Sequence, residues 1–106
     1  MRMRAYGSLR RRREFARLQR RGKRRVGAAL VLLSLEGRAP SRVGITVAKT
    51  VGNAVVRNRL RRRIKAILDR QPLGVPPYRD LLFIARPGAG EATFEAIRAE
   101  VERLLR

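Results

Sequence analysis

The chain has 106 residues, near the common size of a single domain, and carries 27 Lys and Arg against 8 Asp and Glu, a formal net charge of +19. Such a balance calls for a polyanionic partner. Cysteine and histidine are both absent, which excludes disulfides, thiolate metal sites, Ser/His and Cys/His catalytic pairs and imidazole bases, and leaves carboxylates or lysine for any catalysis.

Residues 1–7 read as a short basic arm ahead of one folded unit over 8–106. The first predicted helix has Ser8 as its cap, Phe15 and Leu18 as an i, i+3 apolar stripe and Gly22 as its stop. Val26 to Leu35 (VGAALVLLSL) is strand-like, and it is the longest uncharged apolar run. It falls well short of the roughly 20 residues that span a bilayer. No apolar stretch precedes residue 26, so neither a membrane helix nor a secretory signal is expected, and the default location is cytoplasmic. The Gly and Pro of Glu36-Gly-Arg-Ala-Pro40 mark a turn before Arg42 to Ala48 (RVGITVA), which resumes an extended, β-branched run. Together the two runs predict an antiparallel hairpin.

Asn53 is placed to cap a strongly cationic helix, which ends near Asp69 or Arg70 ahead of Pro72, Gly74, Pro76 and Pro77. Asp80 to Ala85 (DLLFIA) suits a central strand covered on both faces. A final helix from about Thr93 sets Phe94, Ile97, Val101 and Leu104 on one face. Residues 1–90 hold 24 basic and 4 acidic side chains, whereas residues 91–106 hold 3 and 4. The last segment is therefore expected to face away from the partner, its acids serving helix capping or solvation.

The cationic helix packs six cations into the nine residues from Arg57 to Lys65. At 100° per residue, Val56, Leu60, Ile64 and Ile67 form the buried stripe, with Asn58, Arg61, Arg62 and Lys65 opposite it and Arg57, Arg59 and Arg63 on its flanks. Like charges at i, i+4, such as Arg57 with Arg61 and Arg59 with Arg63, cost a few tenths of a kcal/mol each. A solvated outer face normally mixes signs, so something outside the helix must favour this one.

Arg57-Asn58-Arg59-Leu60-Arg61-Arg62 followed by Lys65 resembles the Arg-Asn-Arg-x-Lys-Arg-x-x-Arg signature of the bacterial ribonuclease P protein subunit family. Arg42 to Lys49 and Gly52 to Val56 resemble the strand and loop before that signature, as do Phe15 with Gly22, Asp80 to Arg86, and Thr93-Phe94 at matched spacing, so the resemblance spans roughly residues 8 to 105. It implies an α+β fold, a single two-layer domain ordered helix-strand-strand-strand-helix-strand-helix, with a left-handed β-α-β crossover against the usual right-handed rule. Three strand segments are legible from the residues alone.

The resemblance further implies a ribonucleoprotein endonuclease acting on precursor tRNA. The catalytic RNA would hold Mg²⁺ for removal of the 5′ leader, with no metal bound tightly by the protein and no catalytic residue in this chain. Arg57, Asn58, Arg59, Arg61, Arg62 and Lys65 would meet the catalytic RNA, arginine forks on phosphates and Asn58 at a base edge or fixing a neighbouring loop. Phe15, Arg17, Lys49 and Arg86 would line a groove for the single-stranded leader, where stacking and positive charge combine. Gly52 and Asn53 serve as turn and cap beside the RNA. Gln19, Leu30 and Leu33 stand where relatives often carry aromatics, which reduces stacking; Leu18, Leu30 and Leu33 read as core.

The alternative from a different class is a structural ribosomal RNA-binding protein, which would share charge, size and lack of catalytic groups. An independent metal-dependent nuclease would need clustered carboxylates that Asp69 and Asp80 do not supply. A duplex-DNA architectural protein would need a dimer or minor-groove wedge pattern, and no DNA partner is expected.

Overall fold

The computed structural model describes residues 5–106. A five-stranded mixed sheet carries helices on both faces: β1 (Gly7–Ser8), α1 (Arg12–Arg21), β2 (Lys23–Val26), β3 (Leu30–Glu36), β4 (Arg42–Thr46), α2 (Ala54–Leu68), β5 (Arg79–Ala85) and α3 (Phe94–Leu105). Of the basic arm, residues 1–4 lie outside the described residues. Tyr6 is buried in the core and Gly7 already pairs with Arg42 of β4, so the ordered structure starts ahead of Ser8.

The sheet order is β1-β4-β5-β3-β2. β5 lies antiparallel to β3 and parallel to β4, which corrects the predicted hairpin of 26–35 with 42–48. The apolar run from Val26 to Leu35 is two pieces. Gly27 to Ala29 form a turn, and the hairpin is β2 with β3, Lys23 opposite Ser34 and Val26 opposite Val31. The physical reason lies in which strands can be covered on both sides. β3 and β5 are apolar along most of their length and take inner positions, whereas β2 (KRRV) is charged and takes an edge, where unpaired backbone is best guarded by cations.

Alternation along the strands builds two packing layers. Leu30, Leu32, Leu81 and Phe83 meet Leu60, Ile64 and Ile67 of α2 and Ile97, Val101 and Leu104 of α3. On the opposite face Val31, Leu33 and Leu82 pack with Leu9 and Leu18 under α1. Leu18, Leu30 and Leu33 are core, as expected. Phe94 departs from the expected buried face: at 37% exposure it opens the helix beside Thr93 and lies in a groove against Ala66 and Ile67 of α2.

Three carboxylates fasten these layers, and one of them, Glu100, expected to serve helix capping or solvation, instead holds the backbone amides of a turn. Glu100, 7% exposed, accepts from the Leu30 amide at 2.6 Å and the Ala29 amide at 3.0 Å, pinning the β2–β3 turn onto α3. Gly27 is required there, since a Cβ would sit 2.4 Å from Glu100 Cδ. At the other end of the sheet, Arg42 forks onto Asp80 (3.1 and 2.8 Å) and also donates to Glu14 of α1. Glu14 in turn accepts from the Arg10 and Arg11 amides at 3.1 and 2.9 Å. Arg11 is therefore the N-cap of α1, with Glu14 of the first turn holding the amides of Arg10 and Arg11 just ahead of the helix, and Ser8, the expected cap, sits in β1.

Glu100→Ala leaves the Ala29 and Leu30 amides without their acceptor, at about 1–3 kcal/mol per unsatisfied buried group; a loss of about 2–4 kcal/mol is expected in urea unfolding, with Glu100→Gln losing less. An unchanged midpoint in Glu100→Ala would separate the turn from the helix. The Arg11 and Arg10 amides, then Arg42, hold the Glu14 carboxyl below its ordinary value. A depressed folded pKa gives stability that is present above the unfolded value of about 4.3 and lost as pH falls through the lower folded value. Acid unfolding of Glu14→Gln is therefore expected to depend less steeply on pH than that of the unsubstituted chain below about pH 4.3. Parallel curves would place the acid sensitivity elsewhere.

Candidate nucleic-acid interface

α2 begins where Asn53 Oδ1 accepts from the Val56 amide at 3.0 Å, as its sequence position predicts. Gly52 before it is in extended backbone and is needed for room: a Cβ would come 2.8 Å from Val56 Cγ1. Gly90, from the 3₁₀ turn Ala89–Glu91, is held equally close to Val56, so the loop after β5 lies on the first turns of α2. Leu60, Ile64 and Ile67 are buried as the stripe requires, with Leu68 added and Val56 half-buried.

The opposite face is exposed at Asn58, Arg59, Arg62 and Lys65 and half-buried at Arg57 and Arg61. Intramolecular bonds engage little of this charge. Arg59 donates to the Gly90 carbonyl at 3.3 Å and Arg61 to Asn58 Oδ1 at 3.3 Å. Asn58 thus orients a neighbouring guanidinium along the helix instead of fixing a loop. Arg62 and Lys65 have no side-chain hydrogen bond to a described residue, and Arg57 Nε is buried without a partner among the described residues. The result is a row of forks held apart from one another, suited to successive phosphates.

The residues expected around the leader groove do not all converge. Lys49 follows β4, in a 3₁₀ turn, and Arg86 follows β5; because these strands are parallel and paired, both lie at the same end of the sheet. Arg86 also donates to the Gly27 carbonyl at 2.7 Å, so it braces the β2–β3 turn. Arg17 lies toward the other end, lining a cavity with Arg42 and Asp80, which mark the paired starts of β4 and β5. Gln19 is exposed on α1.

Phe15 is half-buried and its ring crosses Gly44 of β4, where an added Cβ would come within 2.9 Å of ring carbon Cε1. β1 pairs only with Arg42 and Val43, so beyond that point no strand among the described residues lies on the outer side of β4. There a cavity of about 190 Å³ is lined by Phe15 from one face of the sheet, Arg61 and Lys65 from the other, and Tyr6. The helix surface and the α1 groove therefore adjoin at the β4 edge. Sequence reasoning treated them as separate surfaces and missed Tyr6. A glycine within a strand, a signal of close approach by another element, could have marked this place.

No three acidic side chains gather into a metal-binding cluster among the described residues. Asp80 is engaged by Arg42, Glu100 by backbone amides, and Glu95 and Glu102 flank Arg98 at 2.6 and 3.6 Å. This donor set does not fit a site for hard divalent cations, which takes several free oxygens. Among the described residues no helix is long and apolar enough to cross a membrane.

Comparison with known proteins agrees with this geometry. The ribonuclease P family model matches residues 3–106. The ribonuclease P protein component of Gluconacetobacter diazotrophicus is 42% identical over 105 residues, covering 92% of this chain and 87% of that protein. The one from Brevibacillus brevis is 39% identical over 95 residues, covering 88% and 75%. Among solved structures, the RNase P protein from Thermotoga maritima superposes with a TM-score of 0.81 at 31% identity over 98% of this chain and 96% of that one. The Staphylococcus aureus protein does so at 0.84 and 26%, over 92% and 91%. With the family matched over nearly its whole length and the same three-helix, five-strand architecture, the chain belongs to the ribonuclease P protein family.

Proposed function

We propose that this chain is the protein subunit of ribonuclease P, which binds the catalytic RNA and the 5′ leader of precursor tRNA and so promotes Mg²⁺-dependent removal of the leader to give the mature tRNA 5′ end. The observation that carries the proposal is the outer face of α2, where Arg59, Arg62 and Lys65 are exposed beside Asn58 and the one acid along the helix is Asp69 at its C-cap. Such a face is unfavourable in isolation and becomes favourable when phosphates displace its counterions.

In this reading α2 supplies phosphate contacts that position the catalytic RNA, and Arg57, Arg59, Arg61, Arg62 and Lys65 act as that surface. The leader crosses the β4 edge, with Phe15 offering a ring to stack on and Lys49 and Arg86 drawing its phosphates toward one end of the sheet. Arg17 extends the positive surface toward the other end. Mg²⁺ bound by the RNA supplies activation of water. The chain itself contributes binding and orientation, in keeping with the engagement of Glu14, Asp80 and Glu100 by structural partners and with the lack of a cluster of three acids among the described residues. A cytoplasmic location follows from this role.

Addition of the protein to a bacterial ribonuclease P RNA at low salt is expected to stimulate Mg²⁺-dependent cleavage of a precursor tRNA, with no cleavage by the protein alone. Binding without stimulation would favour a structural ribosomal RNA-binding protein instead, and protein-only cleavage would overturn the assignment of chemistry to the RNA. Replacing Arg59 and Arg62 with Ala should weaken assembly with the catalytic RNA and lower the salt slope by about 1.5; unchanged assembly would remove α2 from that role. Phe15→Leu should impair precursors with a leader more than leaderless tRNA, at a loss of about 1–3 kcal/mol if one base stacks on the ring. Equal effects on both would reduce Phe15 to packing.

A further inference from the structure

The β2 edge, across the sheet from β4, carries a second concentration of positive charge that neither α2 nor the α1 groove explains. A cavity of about 550 Å³ is lined there by Arg21, Lys23, Arg25, Arg79 and Arg106, with Glu36 the one acid lining it. It lies beyond the C-terminal turn of α3. Arg25 donates to the Leu104 and Arg106 backbone oxygens at 2.8 and 2.6 Å, and Arg79 to the Leu105 carbonyl at 3.3 Å.

Helix ends account for part of this charge but not all of it. α1 and α3 both finish at this edge, and each helix C-terminus is worth roughly half a negative charge. With Glu36, and with a carboxylate on Arg106 counted as well, the negative side comes to about −3 against five cations. The surplus is concentrated on groups without internal duties: Arg21, Lys23 and Arg106 are exposed and make no side-chain hydrogen bond to a described residue. Arg79 Nε is buried without a partner among the described residues while its Nη1 is fixed to α3. Two fixed guanidiniums flanked by three free cations form a preorganised anion site.

We propose that this cavity binds the sugar-phosphate backbone of an RNA segment distinct from the one on α2. The inference rests on the ribonuclease P reading for the identity of the RNA, not for the chemistry of the site. A protein partner fits less well, since interface cores rely on apolar and aromatic anchors and are depleted in lysine, and no aromatic lines this cavity. α3, whose Arg98 is engaged by Glu95 and Glu102, separates the two cationic surfaces. The molecule thus has positive surfaces toward both edges of its sheet, an arrangement for holding two RNA segments at a set distance.

The chain has no cysteine, so a single engineered thiol carries a hydroxyl-radical probe without background. Glu36→Cys places it at the rim of the cavity while keeping every cation, and Val55→Cys, at a position 71% exposed near the start of α2, places it on the other surface. In the assembled complex of full-length protein, ribonuclease P RNA and precursor tRNA, the two probes are expected to cut different stretches of RNA backbone. Adding Arg21→Ala and Lys23→Ala should abolish the cuts from position 36, leave those from position 55, and lower the salt slope of assembly by about 1.5. Thermal melting of the double variant should match the parent, because neither side chain is hydrogen-bonded to a described residue.

Cuts from position 55 with none from position 36 would overturn the proposal and leave an acidic protein surface as the partner to seek. Cuts from position 36 that persist in the double variant would overturn the role of these cations. Failure of the ribonuclease P reading itself would appear separately, as no stimulation of cleavage by the unsubstituted protein.

Discussion

Everything on the α1 side of the molecule depends on Arg42 being held by two acids at once. Its fork on Asp80 ties the starts of β4 and β5 together, and its remaining nitrogen reaches Glu14, whose other oxygen gathers the Arg10 and Arg11 amides just ahead of α1. Asp80 is only 6% exposed, and a buried carboxylate of this kind needs an opposite charge with good geometry to be tolerated. A chain with few acids has placed three of them, Glu14, Asp80 and Glu100, at junctions between secondary elements. Negative charge is thereby withdrawn from the surfaces where it would screen the arginines.

The same economy shapes the interface. Asn53 and Gly52 set the start of α2, Gly90 lets the loop after β5 settle on it, and the helix then presents its cations with Asp69, at its C-cap, as the one acid along it. Because α2 approaches the β4 edge from one side of the sheet and Phe15 from the other, a strand bound at that edge would feel ring, guanidinium and ammonium together. The small cavity there depends on Gly44, since a side chain at that position would displace the Phe15 ring.

Much of this was legible in the residues. α2 could be read with its cap, its buried stripe and its end, because the amphipathic period, Asn53 and the following prolines agree; β5 and α3 were equally clear. The strand partners of β3 were not, since a continuous apolar run conceals the Gly27 turn and local pattern does not report which strand lies next to which. β1, two residues long, leaves almost no periodic signal. Glu100 escaped notice because its sequence neighbours describe an ordinary solvated helix, and its true partners are the amides of Ala29 and Leu30. The role of Gly44 depends likewise on a helix that arrives from elsewhere in the chain. Of the residues proposed to face RNA, type and spacing marked out those on α2, whereas the placement of Lys49, Arg86 and Arg17 at different ends of the sheet required the register.

The Glu100 clasp also has a bearing on the order in which the fold can mature. Its carboxylate reaches amides 70 residues upstream, so the β2–β3 turn gains its buried acceptor only when α3 has left the ribosome. The β2 edge, where Arg25 also donates to the Leu104 carbonyl, therefore lacks these contacts on a nascent chain without its last helix. A partly made chain, however basic, thus holds a β2–β3 turn without its acceptor, and the sheet is completed only together with the C-terminal helix.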